Sequence, residues 1–160
     1  MLHKNRRANL SHTCLSTKKY PMIGSFLMAD NIGRLHVPQK VGEDEFQYLE
    51  NTPDIAHHGV HVEVQCLPLA TYVAALNVKR VDYFSLDIEG LEPEVLQTIP
   101  FDLIDITTLS VEFSHNANSR EYLTTIMEEQ GYEVAGLVTH PDNLANDVIF
   151  VKKGFKNSLE

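Results

Sequence analysis

Two acids stand where chemistry is easiest to imagine. Asp87 and Glu112 each end an apolar run of strand length, in VDYFSLDIEG and DITTLSVEF. Acids at the polar end of such runs emerge at the carboxyl ends of strands, the rim where α/β sheets gather ligands. If the two strands are neighbours, the carboxylates lie one strand spacing apart, ~4.8 Å. Two full charges ~5 Å apart at an effective dielectric of 20 repel by roughly 3 kcal/mol. Such a rim needs a proton, a cation or a hydrogen-bonded ligand, and no Arg or Lys adjoins either acid in sequence. Glu89, Ser114 and His115 are near enough along the chain to join them, giving an oxygen-rich pocket suited to Mg²⁺ or to hydroxyl and amine groups. The plainer alternative has both acids capping helices or binding loop amides. Gly90, directly after the acids, permits a sharp turn or a close ligand approach, and a simple turn suffices to explain it.

Other reactive side chains give weaker patterns. His57, His58 and His61 invite a metal reading, since an i, i+4 pair meets on a helix. The string AHHGVHVEV instead alternates like a strand, which sets His57 and His61 about 13 Å apart, so these read as surface histidines with no metal. Cys14 and Cys66 have no close spacing and no His that sequence can certify as an activating base. They read as buried packing thiols in a reducing compartment, not as a disulfide or nucleophiles. The chain contains no GxSxG elbow, no phosphate-binding GxxxxGK[ST] loop and no GxGxxG.

The elements around these residues alternate in type. Leu2 to Asn9 is helix-compatible and leads into the β-prone LSHTCLS. Residues 22–60 carry Gly24, Gly33, Pro38, Gly42 and Pro53, which predicts an irregular surface excursion. His61 to Gln65 alternates as a strand, and Pro68 opens a helix with Leu69, Tyr72, Val73 and Leu76 on one buried stripe. After the first acid-ending strand, expected to be buried on both faces, Glu92 and Pro93 start a helix and Pro100 helps stop it. Asn118 and Glu121 cap SREYLTTIMEEQ, with Tyr122, Leu123, Ile126 and Met127 inward and Gly131 at the left-handed C-terminal position. Tyr132 to Val138 and Val148 to Lys152 pair as an antiparallel edge. Strands alternating with helices predict right-handed crossovers and an α/β fold with a mainly parallel sheet.

Bulk properties agree with one globular domain over residues 1–160, since 43% of residues are hydrophobic and 22% charged. A net charge of -9 disfavours nucleic acid and anionic lipid as partners, and the basic cluster Lys4, Arg6, Arg7, Lys18 and Lys19 is thin beside it. No stretch has the ~18 apolar residues that a membrane span needs, and MLHKNRRANL lacks the apolar core of a signal peptide. On these grounds the chain as given reads as soluble and cytoplasmic.

The strings KNRRANLSHTCLSTKKYP, VQCLPLATYV, VDYFSLDIEGLEPEVLQTIPFD, LSVEFS and NDVIFVKK resemble, in this order, the FkbM-type family of S-adenosylmethionine-dependent methyltransferases, and within it the Star-like branch. The block from Val81 to Asp102 is the most specific part, and residues 61–153 match best. The resemblance implies a Rossmann-like class I methyltransferase sheet with an antiparallel C-terminal edge. In that fold a glycine-bearing loop after the first strand and an acid ending the second grip S-adenosylmethionine. Leu2 to Arg7 matches the helix after the second strand, so the chain is expected to lack the first strands and to be weak or inactive alone. Cys14, Leu15 and Ser16 match the adenine side of the cofactor site. Asp87, Glu89 and Gly90 match the D-x-E-G motif near the cofactor's methionine part or the acceptor hydroxyl, and Glu112 matches the acid ending the next strand. Asp87, Glu89 and Glu112 are the implied catalytic acids, with Asp87 the candidate for deprotonating the acceptor oxygen; Cys14, Leu15, Ser16, Asp87 and Gly90 are the implied cofactor contacts. Where many members carry an acid before the preceding helix, this chain has Pro68 and Leu69. The implied reaction is O-methyl transfer to a small molecule or glycan. Star-like relatives handle other proteins in the secretory route, which implies a second reading, a binding module without catalysis. Exposed sheet edges would favour a homo-oligomer or pairing with an N-terminal half.

Overall fold

A computed structural model describes residues 8–29, 33–36, 39–40, 46–47, 53–54, 59–113, 119–141 and 146–155. The expectations placed on Leu2 to Arg7, His57, His58, Ser114, His115 and Asn118 lie outside these residues. In chain order the elements are β1 (Cys14–Leu15), β2 (Met22–Met28), β3 (Arg34–His36), β4 (Gln39–Lys40), β5 (Phe46–Gln47), β6 (Pro53–Asp54) and β7 (Gly59–Leu67). Then come α1 (Leu69–Ala75), β8 (Arg80–Leu86), α2 (Glu92–Leu96), β9 (Asp105–Glu112), α3 (Ser119–Glu129), β10 (Tyr132–Thr139) and β11 (Asn146–Lys152).

The fold is mixed α/β. The C-terminal half builds a four-stranded sheet in the order β10-β11-β9-β8. Its β8 and β9 run parallel, joined by the crossover through α2, while β9, β11 and β10 pair antiparallel. The antiparallel C-terminal edge is therefore present, but a mainly parallel sheet is not: one pairing of three is parallel. Most of the buried core lies here. Leu86, Leu96, Ile104, Ile106, Leu109, Val111, Leu123, Met127, Tyr132, Val148 and Phe150 are all nearly inaccessible. Strand β9 reads as buried along most of its length because it has a neighbour on each side and core on its faces. The β8 strand was expected to be equally buried, yet among the described residues it pairs with β9 alone, and Asp82, Tyr83 and Ser85 are exposed. An apolar run marks capacity for burial; whether both faces are covered depends on neighbours that periodicity does not reveal.

Residues 22–60 depart further from the expected irregular excursion. Met22–Met28 forms a seven-residue strand that pairs antiparallel with β7 along its whole length, Met22 opposite Cys66 and Met28 opposite Val60. A second sheet follows in the order β1-β7-β2-β3, with β6 also on β7, and β4 pairs with β5 separately. Gly24 did not break its strand: it is buried where a Cβ would sit 2.6 Å from Leu35 Cδ1. A glycine inside a strand can mark such a close approach as readily as a turn.

Two helical stripes are also narrower than expected. In α1 no residue is buried: Leu69, Tyr72 and Val73 are half-covered, and Leu76, which follows the helix as its C-cap, is 54% exposed. In α3 the residues Leu123, Ile126 and Met127 are buried, but Tyr122 is exposed, its hydroxyl accepting a bond from Gln97 Nε2 at 2.9 Å. Gly131 follows α3 at φ 84, the left-handed conformation that its position called for.

Candidate active site

The parallel register of β8 and β9 sets Leu86 opposite Val111, so Asp87, directly after β8, and Glu112, the last residue of β9, stand side by side at the carboxyl ends of the two strands. Carboxylate oxygens of Asp87, Glu112 and a third acid, Glu92, all lie within 4.8 Å of one another. The rim drawn from sequence is thus present as geometry, with one acid more. Asp147 adds a fourth carboxylate nearby. It stands opposite Glu112 in the β9–β11 pairing, hydrogen bonds with Ser110, and is raised above the ordinary range by burial and by the charge of Asp87.

These acids cannot all be charged without compensation. Among the described residues, Glu112 Oε2 is a buried side-chain oxygen with no hydrogen-bond partner. Burial and, next, the charge of Asp87 push the Glu112 carboxyl up to about 7, with Glu92 and Glu89 adding to it. Two carboxylates have no donor between them, so a single proton both relieves the repulsion and turns the Asp87–Glu112 contact into a hydrogen bond. A cation would serve the same end, since Asp87, Glu92 and Glu112 offer the oxygen set that a divalent ion takes.

Glu89 and Gly90 occupy the turn between β8 and α2, both at positive φ, 58 and 102 respectively. Glu89 is half-buried and adds its charge to the rim. Gly90 is exposed, and a Cβ there would meet nothing, so its φ and not close packing accounts for the glycine.

Next to the rim is a cavity of about 280 Å³ lined by Thr13, Cys14, Leu15, Phe26, Gly33, Leu35, Asp87, Ile88 and Leu91. It brings together β1, the β2–β3 pair and the end of β8, which are far apart in sequence. Cys14 and Leu15 therefore do share a cavity with Asp87. Ser16 does not line it: the side chain is buried, its hydroxyl donating to Tyr20 O at 2.9 Å and accepting from Lys18 N–H at 3.0 Å. Beside β1, the Tyr72 hydroxyl bonds to Thr13 Oγ1 and donates to Cys14 O, tying this wall to α1.

The two cysteines overturn the reading of free thiols. Cys14 and Cys66 form a disulfide across the β1–β7 pairing, where they are register partners. Neither is a packing thiol or a nucleophile, and the bond speaks against a reducing compartment. Their separation of 52 residues hid the pairing, because it exists only through the parallel contact of a two-residue strand with β7. His61 is likewise no surface residue. It is 7% exposed, its ring edge-on to His36 with centroids 5.9 Å apart and its Nδ1 3.3 Å from Ser25 Oγ. Burial, followed by the neighbouring His61 and Arg34 charges, holds His36 below the usual histidine range.

Glu92 and Asp147 are the site residues that the sequence did not single out. Glu92 read as the first residue of a helix, which it is; its burial and its bonds to the Ile88 and Gly90 amides belong to the folded turn and leave no mark in the sequence. No helix among the described residues is long and apolar enough to cross a membrane. No curated protein and no solved structure matches the chain. A family model does: the methyltransferase FkbM domain matches residues 17–134, a span that holds β8, β9, the turn between β8 and α2, and Asp87, Glu89, Glu92 and Glu112. The match covers well over half of the sequence, and the chain belongs to the FkbM methyltransferase domain family.

Proposed function

We propose that this domain uses S-adenosylmethionine as methyl donor and transfers the methyl group to an oxygen of a small molecule or glycan. The observation that carries the reading is the meeting of Asp87 and Glu112 beside the cavity lined by Cys14, Leu15, Ile88 and Leu91. Its walls suit the donor in kind: apolar side chains for a flat ring, and one carboxylate, Asp87, for a hydroxyl or a positive charge. At about 280 Å³ the enclosed space falls just under the range of ~300–1,000 Å³ usual for small-molecule sites, so part of the ligand would lie along the open rim. When bound, the donor supplies an electrophilic methyl group on a cationic sulfur.

The chain's own groups would do the rest. The acids of the rim attract a cation and hold the acceptor's hydroxyl, and orientation of the two partners is the larger part of such a reaction's acceleration. A carboxyl pushed up to about 7 exchanges its proton near neutral pH, which suits Glu112, with Asp87 against it, to take the proton that the acceptor oxygen loses. Asp87 and Glu89 then serve to hold the ligand, with Gly90 permitting the turn.

Calorimetric titration with S-adenosylmethionine and S-adenosylhomocysteine tests the reading. Binding with a micromolar to millimolar Kd is expected, and Asp87→Ala should abolish it. A folded protein that gives no heat with either ligand would sink the proposal.

A second reading is favoured by one feature. The Cys14–Cys66 disulfide suits an oxidising compartment, the setting of the Star-like branch, whose members handle other proteins in the secretory route. Under that reading the domain is a binding module without catalysis, and retained partner capture by a protein that binds no donor would favour it.

A further inference from the structure

Glu92 differs from the other acids of the rim. Among the described residues it is the one fully buried acid, 3% exposed, and its carboxylate is directed at the backbone. Its Oε1 accepts the Ile88 N–H at 2.8 Å and the Gly90 N–H at 3.2 Å. A carboxylate accepting two amides makes charge-assisted bonds, about twice as strong as neutral ones. The amides belong to the turn that presents the rest of the site. Asp87, Ile88 and Leu91 line the cavity, and Glu89 and Gly90 lie between them.

That turn also carries an uncommon backbone. Glu89 at φ 58 and Gly90 at φ 102 are consecutive left-handed residues, and a non-glycine residue stays there only where its surroundings over-determine it. Backbone amides that converge within a turn form a concavity that binds anions. Here the anion comes from the chain itself, four residues after Ile88, and the loop is closed by its own helix. Because Glu92 is nearly inaccessible, its carboxylate takes these two amides in place of water.

We infer that Glu92 is the positioning residue of this site: through the Ile88 and Gly90 amides it holds the 87–91 turn so that Asp87 meets Glu112 and Ile88 and Leu91 complete the cavity wall. Only the consequence for ligand binding rests on the methyl-transfer reading. The effect on the turn does not.

The experiment compares Glu92→Gln, which keeps the shape and one carbonyl acceptor, with Glu92→Leu, which removes the acceptor. Amide hydrogen exchange is read at Ile88 and Gly90, with Leu109 and Val111 in β9 as internal references. In Glu92→Leu, loss of two charge-assisted bonds should speed exchange at Ile88 and Gly90 about tenfold or more while the β9 amides stay unchanged. Glu92→Gln should show a smaller acceleration, about threefold, at the same two amides. Affinity for S-adenosylhomocysteine should fall in the same order, with Gln restoring part of what Leu loses. Unchanged exchange at Ile88 and Gly90 in a folded variant overturns the inference, as does acceleration spread equally over β9. Should Glu92→Leu not fold, Glu92→Gln decides by the same comparison. Local acceleration in a protein that binds no S-adenosylhomocysteine, even as wild type, supports the positioning role and removes the methyl-transfer reading.

Discussion

Among single residues, Glu112 has the most direct consequence for behaviour in solution. Its carboxyl is raised in the folded chain to about 7 from an ordinary 4.5, first by burial and then by Asp87. A group that binds its proton more tightly when folded stabilises the fold fully below its unfolded value, and the benefit is lost as pH rises through the folded value. Between about pH 4.5 and 7 this residue therefore lowers stability as pH increases. For a fully buried acid the loss would be roughly 3 kcal/mol, but solvent screening at the open rim reduces it to on the order of 1 kcal/mol. Asp105 and Glu121 are held below their ordinary range by Lys152 and by a backbone hydrogen bond respectively, so their contributions fall at lower pH and in the opposite direction. Going from pH 5 to pH 8 should thus shift the urea midpoint further downward in wild type than in Glu112→Gln. An identical pH dependence in the two proteins would show that Glu112 does not carry the proton. Asp87 and Glu112 were legible because each ends a strand-like run, and a shared rim follows once the runs are neighbours. Asp147 was not, since it reaches the rim only through the antiparallel pairing of β11 with β9, a contact that leaves no local mark.

Among the elements, β1 shows how a short segment is held in place. Two residues make a marginal strand, and this one has help from three directions: the Ser16 N–H bond to Leu67 O at 2.9 Å, the Tyr72 hydroxyl, and the Cys14–Cys66 bond. A cross-link spanning 52 residues restricts the unfolded chain and stabilises by roughly 2–4 kcal/mol. Reduction with a dithiol, or replacement of both cysteines by serine, should lower stability by that amount. It should also weaken any ligand of the cavity, because Cys14 and Leu15 form its wall. Thermal unfolding with and without reductant, paired with ligand titration, measures both effects. A lowered melting temperature with unchanged ligand affinity would show that the bond serves stability alone. The acid-ending strands, the helices after Pro68 and Glu92, and the antiparallel close of the chain were all readable from period and punctuation. The N-terminal sheet was not. Its β2 strand, MIGSFLM, contains a glycine and lies between segments rich in turn residues, so composition outweighed its β-branched and aromatic content. The α1 stripe has the right spacing for burial, but Leu76 remains exposed, because spacing names a face without specifying what covers it.

At the scale of the whole molecule, the sheet that carries the acids is covered unevenly. Strand β9 is enclosed by β8 and β11, whereas β8 has no described strand on its outer side and leaves Tyr83 59% exposed. A seven-residue strand whose outer edge meets no described strand, and which exposes an aromatic, is a template for pairing with another chain. Its defences are modest: Arg80 and Asp82 are exposed, and Arg80 Nε donates to Asp82 Oδ1 at 2.8 Å, so the pair largely neutralises itself. The net charge of -9 opposes association at low ionic strength, but at ~0.15 M salt its reach shrinks to about 8 Å. The chain alone should therefore self-associate increasingly as salt rises from about 20 to 300 mM, the reverse of what salt-bridged contacts would do. Adding charge at the edge should counter it. Tyr83→Lys removes the exposed ring and places a long cation on the strand, which natural sheets use to blunt open edges. Light scattering across that salt range is expected to show growing mass for wild type and a steadier monomer for Tyr83→Lys, with similar far-ultraviolet circular dichroism for both. A wild-type monomer at every salt concentration would mean that the β8 edge is protected in solution. Association that Tyr83→Lys leaves unchanged would place the contact elsewhere on the surface.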